Sequence, residues 1–427
     1  MPEVKNIIPK AVQHLKEWRV FKTTTDNKSL FMYNPGTGIF ESGIESIVEA
    51  RIQEHVKEET RTYLVKEVIE MLKRETLIGR KEFESYVDWV NVKNGMLNLK
   101  TNELVSHDPK FLSLKQIPVT YIPDANCPRF KKFLHEVVSE DDGKDIMRFW
   151  GFTLASHCKF EKAIVLVGEG ENGKSVMLYI VTEFFGRDNA SSESLHSLCE
   201  SPFRKAELFG KVANIKSELT ATKIAQVEDF KSLVSGIDTI TGERKHQHPF
   251  RFLNTAKLWF SCNELPIVSF DDKAYFRRWI VIPFPHTFVK GVNADVNLVD
   301  ALTTEEEKSG ILNLALEGYK ELERDGGFIN WNDAGKLKQK YMGYTGDSVA
   351  RFIIEKLGLE GNGVIPKDVL YAEYEKYCEA GSHPRKAYDA FYRAMESMIG
   401  ISKREFYPTD KNTGKQVHSL RGISIKS

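Results

Sequence analysis

The sequence predicts an α/β protein with a parallel sheet at its centre, a mixed α/β amino-terminal region and a small carboxy-terminal domain. From residue 163 to about residue 285, short apolar runs alternate with segments of helical periodicity, which is typical of a parallel sheet covered by helices. Helical spacing dominates on either side of that stretch. The chain has 427 residues, enough for two to four domains at roughly 100 to 200 residues each.

Composition and charge argue against three classes of protein: a strongly cationic nucleic-acid binder, a disulfide- or metal-stabilised protein, and a membrane-spanning protein. Lys plus Arg and Asp plus Glu both total 60, so any contact with nucleic acid must come from local patches and not from an overall cationic field. The five cysteines are widely spaced and form no metal-binding or disulfide pattern, which indicates a reducing compartment. No apolar run approaches the roughly 18 residues of a membrane span, and the amino terminus lacks a secretory signal. We expect a cytoplasmic protein without a membrane partner.

Residues 1–90 carry no recognisable chemistry. A helical pattern comes first, then a hairpin whose turn is residues 34–38, and then two amphipathic stretches. In these stretches Ile44, Ile47, Val48 and Ile52, and later Leu64, Val68, Ile69 and Leu72, recur at helical spacing. Amphipathic helices mostly pack against other elements. We interpret this region as a scaffold or oligomerisation module.

Residues 91–160 read as a hairpin followed by helices. Asn94 and Gly95 form a turn dipeptide ahead of a short apolar strand. Apolar residues then recur at helical spacing from Phe130 to Val137 and from Ile146 to Leu154.

A glycine-rich loop gives the strongest chemical signal. The apolar strand Ala163–Val167 runs directly into Gly168, Glu169, Gly170, Glu171, Asn172, Gly173, Lys174 and Ser175, which fit the phosphate-binding pattern G-x-x-x-x-G-K-[ST]. Such a loop turns backbone N–H groups and a helix amino terminus toward phosphate oxygens. Lys174 would reach the β- and γ-phosphates, and Ser175 would bind Mg²⁺. We therefore expect ATP with Mg²⁺ as the ligand.

A second, acidic site is needed for hydrolysis, and Glu218 is the candidate. It follows a short apolar strand at residues 212–215. A carboxylate at a strand end beside the loop can hold Mg²⁺ and polarise a water molecule. An exposed loop glutamate without function stays an alternative.

Three further segments carry polar residues at informative places. Lys245 and His246 lie between a turn glycine and a proline, as in a basic hairpin tip that grips phosphates, although a solvated charged turn would look the same. Asn263 ends an apolar strand and could orient water. Arg277 and Arg278 precede another strand, and arginine can stabilise charge on a transferring phosphoryl group. Asn263 or Arg278 alone would more often be structural.

In this order, the motifs resemble those of superfamily 3 helicases, in particular the helicase part of the phage, plasmid and poxvirus primase-helicases. The resemblance covers residues from about 90 onward and implies an AAA+-like P-loop NTPase core over residues 161–330, preceded by a pre-helicase domain over 91–160. It implies Glu218 as the Walker B acid, Lys245 and His246 as the DNA-gripping pair, and Asn263 as the sensor. Arg278 would be the arginine finger, with Arg277 as the alternate. The sequence departs from the usual pattern at Ser217, where many relatives have a second acid, which leaves the Mg²⁺ role of Glu218 less defined than its catalytic role.

The carboxy-terminal region predicts a separate small domain. Residues 331–347 read as a linker, and residues 345–427 give three amphipathic helices and two strands, at 402–407 and 422–425, in winged-helix order. From Arg385 onward there are nine Lys plus Arg against four Asp plus Glu, which favours a phosphate-facing surface. A module that only packs against protein is the alternative.

The sequence therefore predicts an ATP-dependent DNA helicase of mobile-element replication that works as a homo-oligomeric ring, expected to be a hexamer. Single-stranded DNA would lie in the ring channel, and duplex DNA would contact the carboxy-terminal domain. A replicon-recognition or loading protein, in which hydrolysis drives assembly without unwinding, is the main alternative. A P-loop kinase of a small substrate is a third, disfavoured by the paired arginines and the basic hairpin. No primase activity is expected from this chain.

Overall fold

A computed structural model gives the fold of the chain. It describes residues 4–57, 61–83, 85–221, 227–245, 248–266, 272–288, 297–329, 333–359, 363–381, 383–409 and 415–426.

Helices and strands alternate through the described residues as a mixed α/β arrangement. The helices are α1 (Val4–Trp18), α2 (Glu45–Val56), α3 (Thr62–Glu75), α4 (Pro128–Val137), α5 (Glu140–Leu154), α6 (Lys174–Phe185), α7 (Leu195–Glu200), α8 (Pro202–Ala206), α9 (Val227–Val234), α10 (Lys273–Phe276), α11 (Leu298–Leu302), α12 (Glu305–Asp325), α13 (Ala334–Met342), α14 (Ser348–Lys356), α15 (Lys367–Ala380) and α16 (Tyr388–Ile399). The strands are β1 (Phe21–Thr24), β2 (Leu30–Asn34), β3 (Ile39–Ser42), β4 (Leu77–Ile78), β5 (Trp89–Val92), β6 (Gly95–Asn98), β7 (Leu104–Val105), β8 (Ala163–Val167), β9 (Ala190–Ser191), β10 (Ala213–Lys216), β11 (Thr239–Gly242), β12 (Phe250–Leu253), β13 (Lys257–Cys262), β14 (Trp279–Pro283), β15 (Leu357–Gly358), β16 (Val364–Pro366), β17 (Glu405–Phe406), β18 (Ser419–Arg421) and β19 (Ser424–Ile425).

The amino-terminal module is a four-stranded sheet, in the order β3-β2-β1-β4, packed against α1, α2 and α3. Strands β2 and β3 pair antiparallel with Asn34 opposite Ile39, which confirms the predicted hairpin. The predicted apolar faces are buried in one cluster, with one exception. Ile47 is 47% exposed and lies outside the packed face of α2.

The central sheet has the order β14-β8-β13-β10-β9, and every neighbouring pair in it is parallel. Its central strands β8 and β13 are buried along their whole length, as a covered parallel sheet requires. Along β8 the side chains alternate: Ala163, Val165 and Val167 join one apolar cluster, whereas Ile164 and Leu166 join another on the opposite face. The carboxyl ends of all five strands lie at one edge, where loops can assemble a site.

Helices α5 and α12 pack closely because glycine replaces larger residues at their contact. A Cβ atom built on Gly318 would lie 2.5 Å from the carbonyl oxygen of Met147, and one on Gly151 would lie 2.1 Å from the carbonyl oxygen of Ala315. A heavier side chain at either position would force the helices apart. This pair covers one face of the central sheet.

The hairpin predicted at Asn94 and Gly95 is present, but its turn lies one residue earlier. Val92 pairs with Gly95, so Lys93 and Asn94 form the turn and Gly95 begins β6. Gly95 is required there for space, since a Cβ atom would lie 2.3 Å from the carbonyl oxygen of Val105.

The prediction of a linker at residues 331–347 is wrong for the part that the structure describes. Residues 334–342 form helix α13, and its Tyr341 is fully buried. The Tyr341 hydroxyl lies 2.9 Å from the hydroxyl of Tyr275 and donates to the carbonyl oxygen of Pro266 at 3.0 Å. Leu337 and Tyr341 are four residues apart, which is helical spacing, although the Lys and Gln residues between them suggest a linker.

Three helices, α14, α15 and α16, and small antiparallel sheets form the carboxy-terminal region. Strands β16, β18 and β17 make one sheet, and β15 pairs with β19. The strand predicted at 402–407 is shorter, because residues 401–404 form a 3₁₀ turn ahead of β17. The buried residues of the carboxy-terminal region belong to the same apolar cluster as those on one face of the central sheet. The region is therefore packed continuously with the core.

Candidate functional site

The glycine-rich loop connects β8 to α6 at the carboxyl edge of the central sheet. Gly173 precedes the helix with φ of 90°, a conformation that glycine adopts without strain. Gly168 has no room for a Cβ atom, which would lie 2.1 Å from Nδ2 of Asn172 and 2.6 Å from the carbonyl oxygen of Phe284. The first N–H groups of α6 have no intrahelical acceptors and face the loop. The local geometry is that of an anion-binding cradle.

Lys174 is held inside that loop. Its Nζ donates to the carbonyl oxygens of Gly168 at 2.6 Å and Glu169 at 2.9 Å, and to Oδ1 of Asn172 at 2.9 Å. Asn172 is in turn fixed by Nδ2, which donates to the carbonyl oxygen of Phe284 at 3.1 Å. Burial lowers the pKa of the Lys174 ammonium. The loop thus holds one partly desolvated cation at its centre.

Glu218 follows β10 at the same edge of the sheet. Its φ is 67°, in the left-handed region that a residue with a side chain rarely adopts. The next residue is locked in place, because the N–H of Leu219 donates to the carbonyl oxygen of Ser261 on β13 at 2.7 Å. Strained backbone at a strand end beside a cavity is common in functional sites. Glu218 is exposed and lines the same cavity as Lys174.

Asn263 directly follows β13, between the loop and Glu218. Its Oδ1 lies 3.5 Å from Nζ of Lys174. The preceding residue, Cys262, is buried, and burial raises the pKa of its thiol to about 12. The thiol is therefore neutral near pH 7 and does not compete as a nucleophile. The structure brings Lys174, Glu218 and Asn263 to one edge of the sheet, in the segments that follow three neighbouring strands.

These side chains line a cavity of about 1410 Å³, which is large enough for a nucleotide. Its lining also includes Arg129, Lys132 and Phe133 of α4, which the sequence analysis did not single out. Helix α4 is held there because the buried carboxylate of Glu307 accepts from the N–H groups of Arg129 (3.2 Å) and Phe130 (3.1 Å). No local motif marks α4, since its residues read as an ordinary amphipathic helix.

The cavity has oxygen donors suited to Mg²⁺. Ser175 is exposed at the start of α6, and the Glu218 carboxylate lines the same cavity. Hydroxyl and carboxylate oxygens, completed by phosphate oxygens and water, are the ligands that Mg²⁺ prefers. Within the described residues, no group of three or more His, Cys, Asp and Glu side chains is placed to hold a metal by itself. The Ser175 hydroxyl and the Glu218 carboxylate therefore suit a cation whose remaining ligands come from a bound phosphate and water.

Arg278 and Arg277, the predicted arginine finger and its alternate, differ in burial. Arg278 is buried, its Nη2 lies 2.9 Å from Oε2 of Glu161, and its Nη1 donates to the carbonyl oxygen of Ala274 at 2.8 Å. Burial lowers the pKa of this guanidinium, although Glu161 opposes the shift. Arg277 has a side chain that is 57% exposed and lies 3.5 Å from Glu161. Only a side chain at the surface can reach a neighbouring subunit, so Arg277 is the better finger candidate.

Strands β11 and β12 form the hairpin predicted around Lys245. Gly242 pairs with Phe250, so the tip begins at Glu243 and Lys245 lies exposed on it. His246, the second predicted DNA-gripping residue, lies outside the described residues. The tip residues that the structure describes do not line the cavity that holds Lys174, so a contact made by Lys245 would be separate from that cavity.

Fold and cavity together define a class of protein, an α/β protein with polar residues at the carboxyl edge of a parallel sheet, and comparisons with known proteins add to this description. Residues 3–139 match the family described as D5 N terminal like. Residues 166–278, which include the glycine-rich loop, Glu218 and Asn263, match a family of unknown function, DUF5906. Each match covers less than half of the chain.

One relative and two solved structures extend these matches. A putative helicase of Acanthamoeba polyphaga mimivirus is 30% identical over 156 residues, which cover 34% of this chain and 16% of that protein. The A form apo structure of the NrS-1 C-terminal region superimposes with a TM-score of 0.53 at 12% identity and covers 95% of this chain and 97% of that one. A second structure, of NrS-1 residues 305–718, gives a TM-score of 0.51 at 13% identity, covering 95% and 96%.

These findings relate parts of the chain to the D5 N terminal like family and to a putative helicase, and show that its fold is similar to that of the NrS-1 C-terminal region. In the part of the chain that the structure describes, none of the helices combines the length and apolar character needed to cross a bilayer.

Proposed function

We propose that this chain is an ATP-dependent DNA helicase subunit, of the superfamily 3 type, that acts in the replication of a mobile element as part of a homo-oligomeric ring. The observation that carries the proposal is the convergence of Lys174, Glu218 and Asn263, from three neighbouring strand ends, on one cavity of about 1410 Å³. The match to a putative helicase from mimivirus supports the same class.

The glycine-rich loop, Glu218 and Asn263 would have distinct tasks in nucleotide hydrolysis. The loop from Gly168 to Ser175 would bind the phosphates through backbone N–H groups, and Lys174 would neutralise charge on the β- and γ-phosphates. Glu218 would accept a proton from the attacking water, since its carboxylate reaches the cavity. Asn263 would orient that water through its amide. Mg²⁺, held by Ser175 and Glu218, would neutralise the charge that develops on the phosphate oxygens.

The DNA contacts in this proposal lie away from the nucleotide. The exposed Lys245 on the hairpin tip, with His246 beside it in sequence, would hold backbone phosphates without reading bases. In a ring, six such hairpins would line the channel, and Arg277 of one subunit would act on the nucleotide of the next. The carboxy-terminal region, taken as a winged helix, would contact duplex DNA.

Strand displacement from a forked duplex tests the proposal. We expect the parent chain to unwind the fork in the presence of ATP and Mg²⁺. A double variant, Lys245→Ala with His246→Ala, should keep basal hydrolysis and lose unwinding, because Lys245 and the other described residues of the tip lie outside the lining of the nucleotide cavity. A parent that hydrolyses ATP but displaces no strand would reject the helicase proposal and favour a loading protein. Unwinding by the double variant at the parent rate would reject the proposed role of the hairpin.

A further inference from the structure

An arginine from the amino-terminal module contacts the hairpin that carries Lys245. The guanidinium of Arg80 lies 4.8 Å from the ring centroid of Phe209 and 4.8 Å from that of Phe250. Phe250 is the first residue of β12 and pairs with Gly242, the last residue of β11. Arg80 therefore touches the hairpin at the point where its ladder ends and the tip begins.

The guanidinium is fixed from the side of the module. Its Nε donates to Oδ2 of Asp26 at 2.6 Å, and Nη2 donates to Oδ1 of Asp26 at 2.9 Å and to Oδ1 of Asn27 at 2.7 Å. The side chain of Arg80 is only 9% exposed. Burial raises the pKa of the Asp26 carboxyl, but the hydrogen bond and the charge of Arg80, together with backbone N–H groups, more than offset burial, so the pKa lies below its usual value. A bidentate pair between planar groups sets the orientation of the arginine as well as its position.

Sheet topology explains why these groups meet. Strands β1 and β4 pair in parallel, so the segment after each strand emerges at the same edge of the sheet. The N–H of Thr25 donates to the carbonyl oxygen of Ile78 at 3.0 Å and joins the two exits. Asp26 and Asn27 follow one strand, and Arg80 follows the other. The contact is thus built from the folded module and does not depend on a loose surface side chain.

The hairpin has an aromatic base that receives the guanidinium. Phe209 lies edge-on to Phe250 with ring centroids 5.6 Å apart, and Phe252 stacks on Phe250 at 5.5 Å. Arg244, on the tip itself, also lies near the Phe250 ring, at 5.7 Å. A shift of Arg80 would therefore change the packing of Phe250 and of Arg244, the tip residue that lies near its ring.

We propose that the amino-terminal module positions the DNA-gripping hairpin through Arg80, which acts as a positioning residue for Lys245. The consequence for DNA rests on the function proposed above, whereas the contact itself is independent of it. The side chain of Arg80 is only 9% exposed and its guanidinium is already bonded to Asp26, so a positional role fits Arg80 better than a phosphate-binding one.

Two variants and a matched control test the inference. Arg80→Ala removes the guanidinium, and Arg80→Lys keeps the charge but loses the planar group that bonds Asp26 and covers two rings. Arg51→Ala is the control, because Arg51 belongs to the same module, pairs with Glu54 at 2.9 Å and lies 5.3 Å from the Trp18 ring centroid, away from the hairpin. If Arg80→Ala does not fold, Phe209→Leu replaces it, since leucine keeps an apolar side chain but removes one ring.

The first readout is trypsin cleavage after Arg244 and Lys245 in the free protein, quantified by mass spectrometry. Loss of a contact of this kind should let the tip open more often, so the rate of cleavage should rise about fivefold in Arg80→Ala. The rate for Arg80→Lys should lie between that of Arg80→Ala and that of the parent. Arg51→Ala should match the parent. Equal cleavage in Arg80→Ala and the parent, or an equal rise in Arg51→Ala, would overturn the inference.

The second readout is the ratio of ATP hydrolysis with and without single-stranded DNA. Arg80→Ala should keep the basal rate and lose most of the stimulation, and Arg80→Lys should restore part of it. If the parent shows no stimulation, the proposed function fails while the cleavage result still decides the inference. If the parent is stimulated and Arg80→Ala is stimulated equally, the proposed function stands and the inference fails.

Discussion

At the scale of single residues, the chemistry of the site depends on the positions of three polar side chains. Lys174 is enclosed by loop oxygens, Asn263 lies 3.5 Å from its ammonium, and Glu218 is held by an unusual backbone conformation with φ of 67°. Left-handed backbone at a residue with a side chain costs free energy, on the order of 1 kcal/mol or more. That cost is consistent with a backbone conformation that is kept because it directs the Glu218 carboxylate, at the expense of local stability.

The Glu218→Gln substitution tests this interpretation. The amide fills the same space but cannot accept a proton, so nucleotide affinity should change little while turnover falls by about 10² to 10⁴. Isothermal titration with ATP and Mg²⁺ would give the affinity, and phosphate release would give the turnover. Glu264→Gln is a suitable control, because Glu264 lines the same cavity without a proposed catalytic role. Parent-like turnover in Glu218→Gln would show that Glu218 is not the catalytic base.

At the scale of elements, close contact between α5 and α12 supports the sheet that carries the site. Gly318→Ala should lower the free energy of unfolding by about 1–3 kcal/mol, because the new Cβ would lie 2.5 Å from the carbonyl oxygen of Met147. Gly143→Ala, in α5, is the control, since its Cβ would meet Leu134 at an ordinary 3.5 Å. Urea unfolding of both variants would give the difference. Equal midpoints would contradict the packing described here.

Local patterns were enough to predict many elements. The continuous apolar run of β8, the glycines after it and the spacing in α3 each point to one structure, and each is present. Two element-scale predictions failed for physical reasons. Helix α13 carries enough Lys and Gln to read as solvated, but tertiary contacts of Tyr341 override that pattern. The turn predicted at Asn94 and Gly95 lies one residue too late, because Gly95 begins β6, where its φ of 152° and the close approach of Val105 both require glycine.

Other features of the site depend on distant partners that a sequence pattern does not reveal. The burial of Arg278 follows from its pairing with Glu161, more than a hundred residues earlier in the chain. The α4 wall of the cavity depends on Glu307 of α12. By contrast, the loop residues and Glu218 could be found, because strand, turn and polar residue are contiguous there.

At the scale of the whole molecule, the carboxy-terminal region is packed on the core. Its buried residues join the cluster that covers one face of the central sheet, and Leu265 forms a bridge with Thr345. A chain that ends at residue 346 should therefore unfold at a temperature lower by about 5 °C or more, because apolar surface of the core becomes exposed. Differential scanning calorimetry would measure the shift. An unchanged transition would show that the region folds independently, as the sequence alone suggested.

A ring in which neighbours share active sites makes a separate prediction. Arg277→Ala should lower hydrolysis by about 10³ or more if its guanidinium acts on the adjacent nucleotide. Mixing it with Lys174→Ala subunits should restore part of the activity, because some interfaces then carry an intact loop and an intact arginine. Arg278→Ala is the comparison, and it should act mainly by destabilising the fold, since Glu161 loses its buried partner. No recovery in mixed rings whose formation has been verified would contradict a role in trans.

The most direct test of the whole account is the steady-state rate of ATP hydrolysis by the parent and by Lys174→Ala, each with and without single-stranded DNA. Lys174 supplies the charge at the centre of the loop, while the fold depends on buried strands. The account therefore predicts hydrolysis by the parent that rises with single-stranded DNA, and a folded Lys174→Ala variant slowed by about 10² or more under both conditions. A folded variant that hydrolyses ATP at the parent rate, or a parent whose hydrolysis does not respond to DNA, would contradict it.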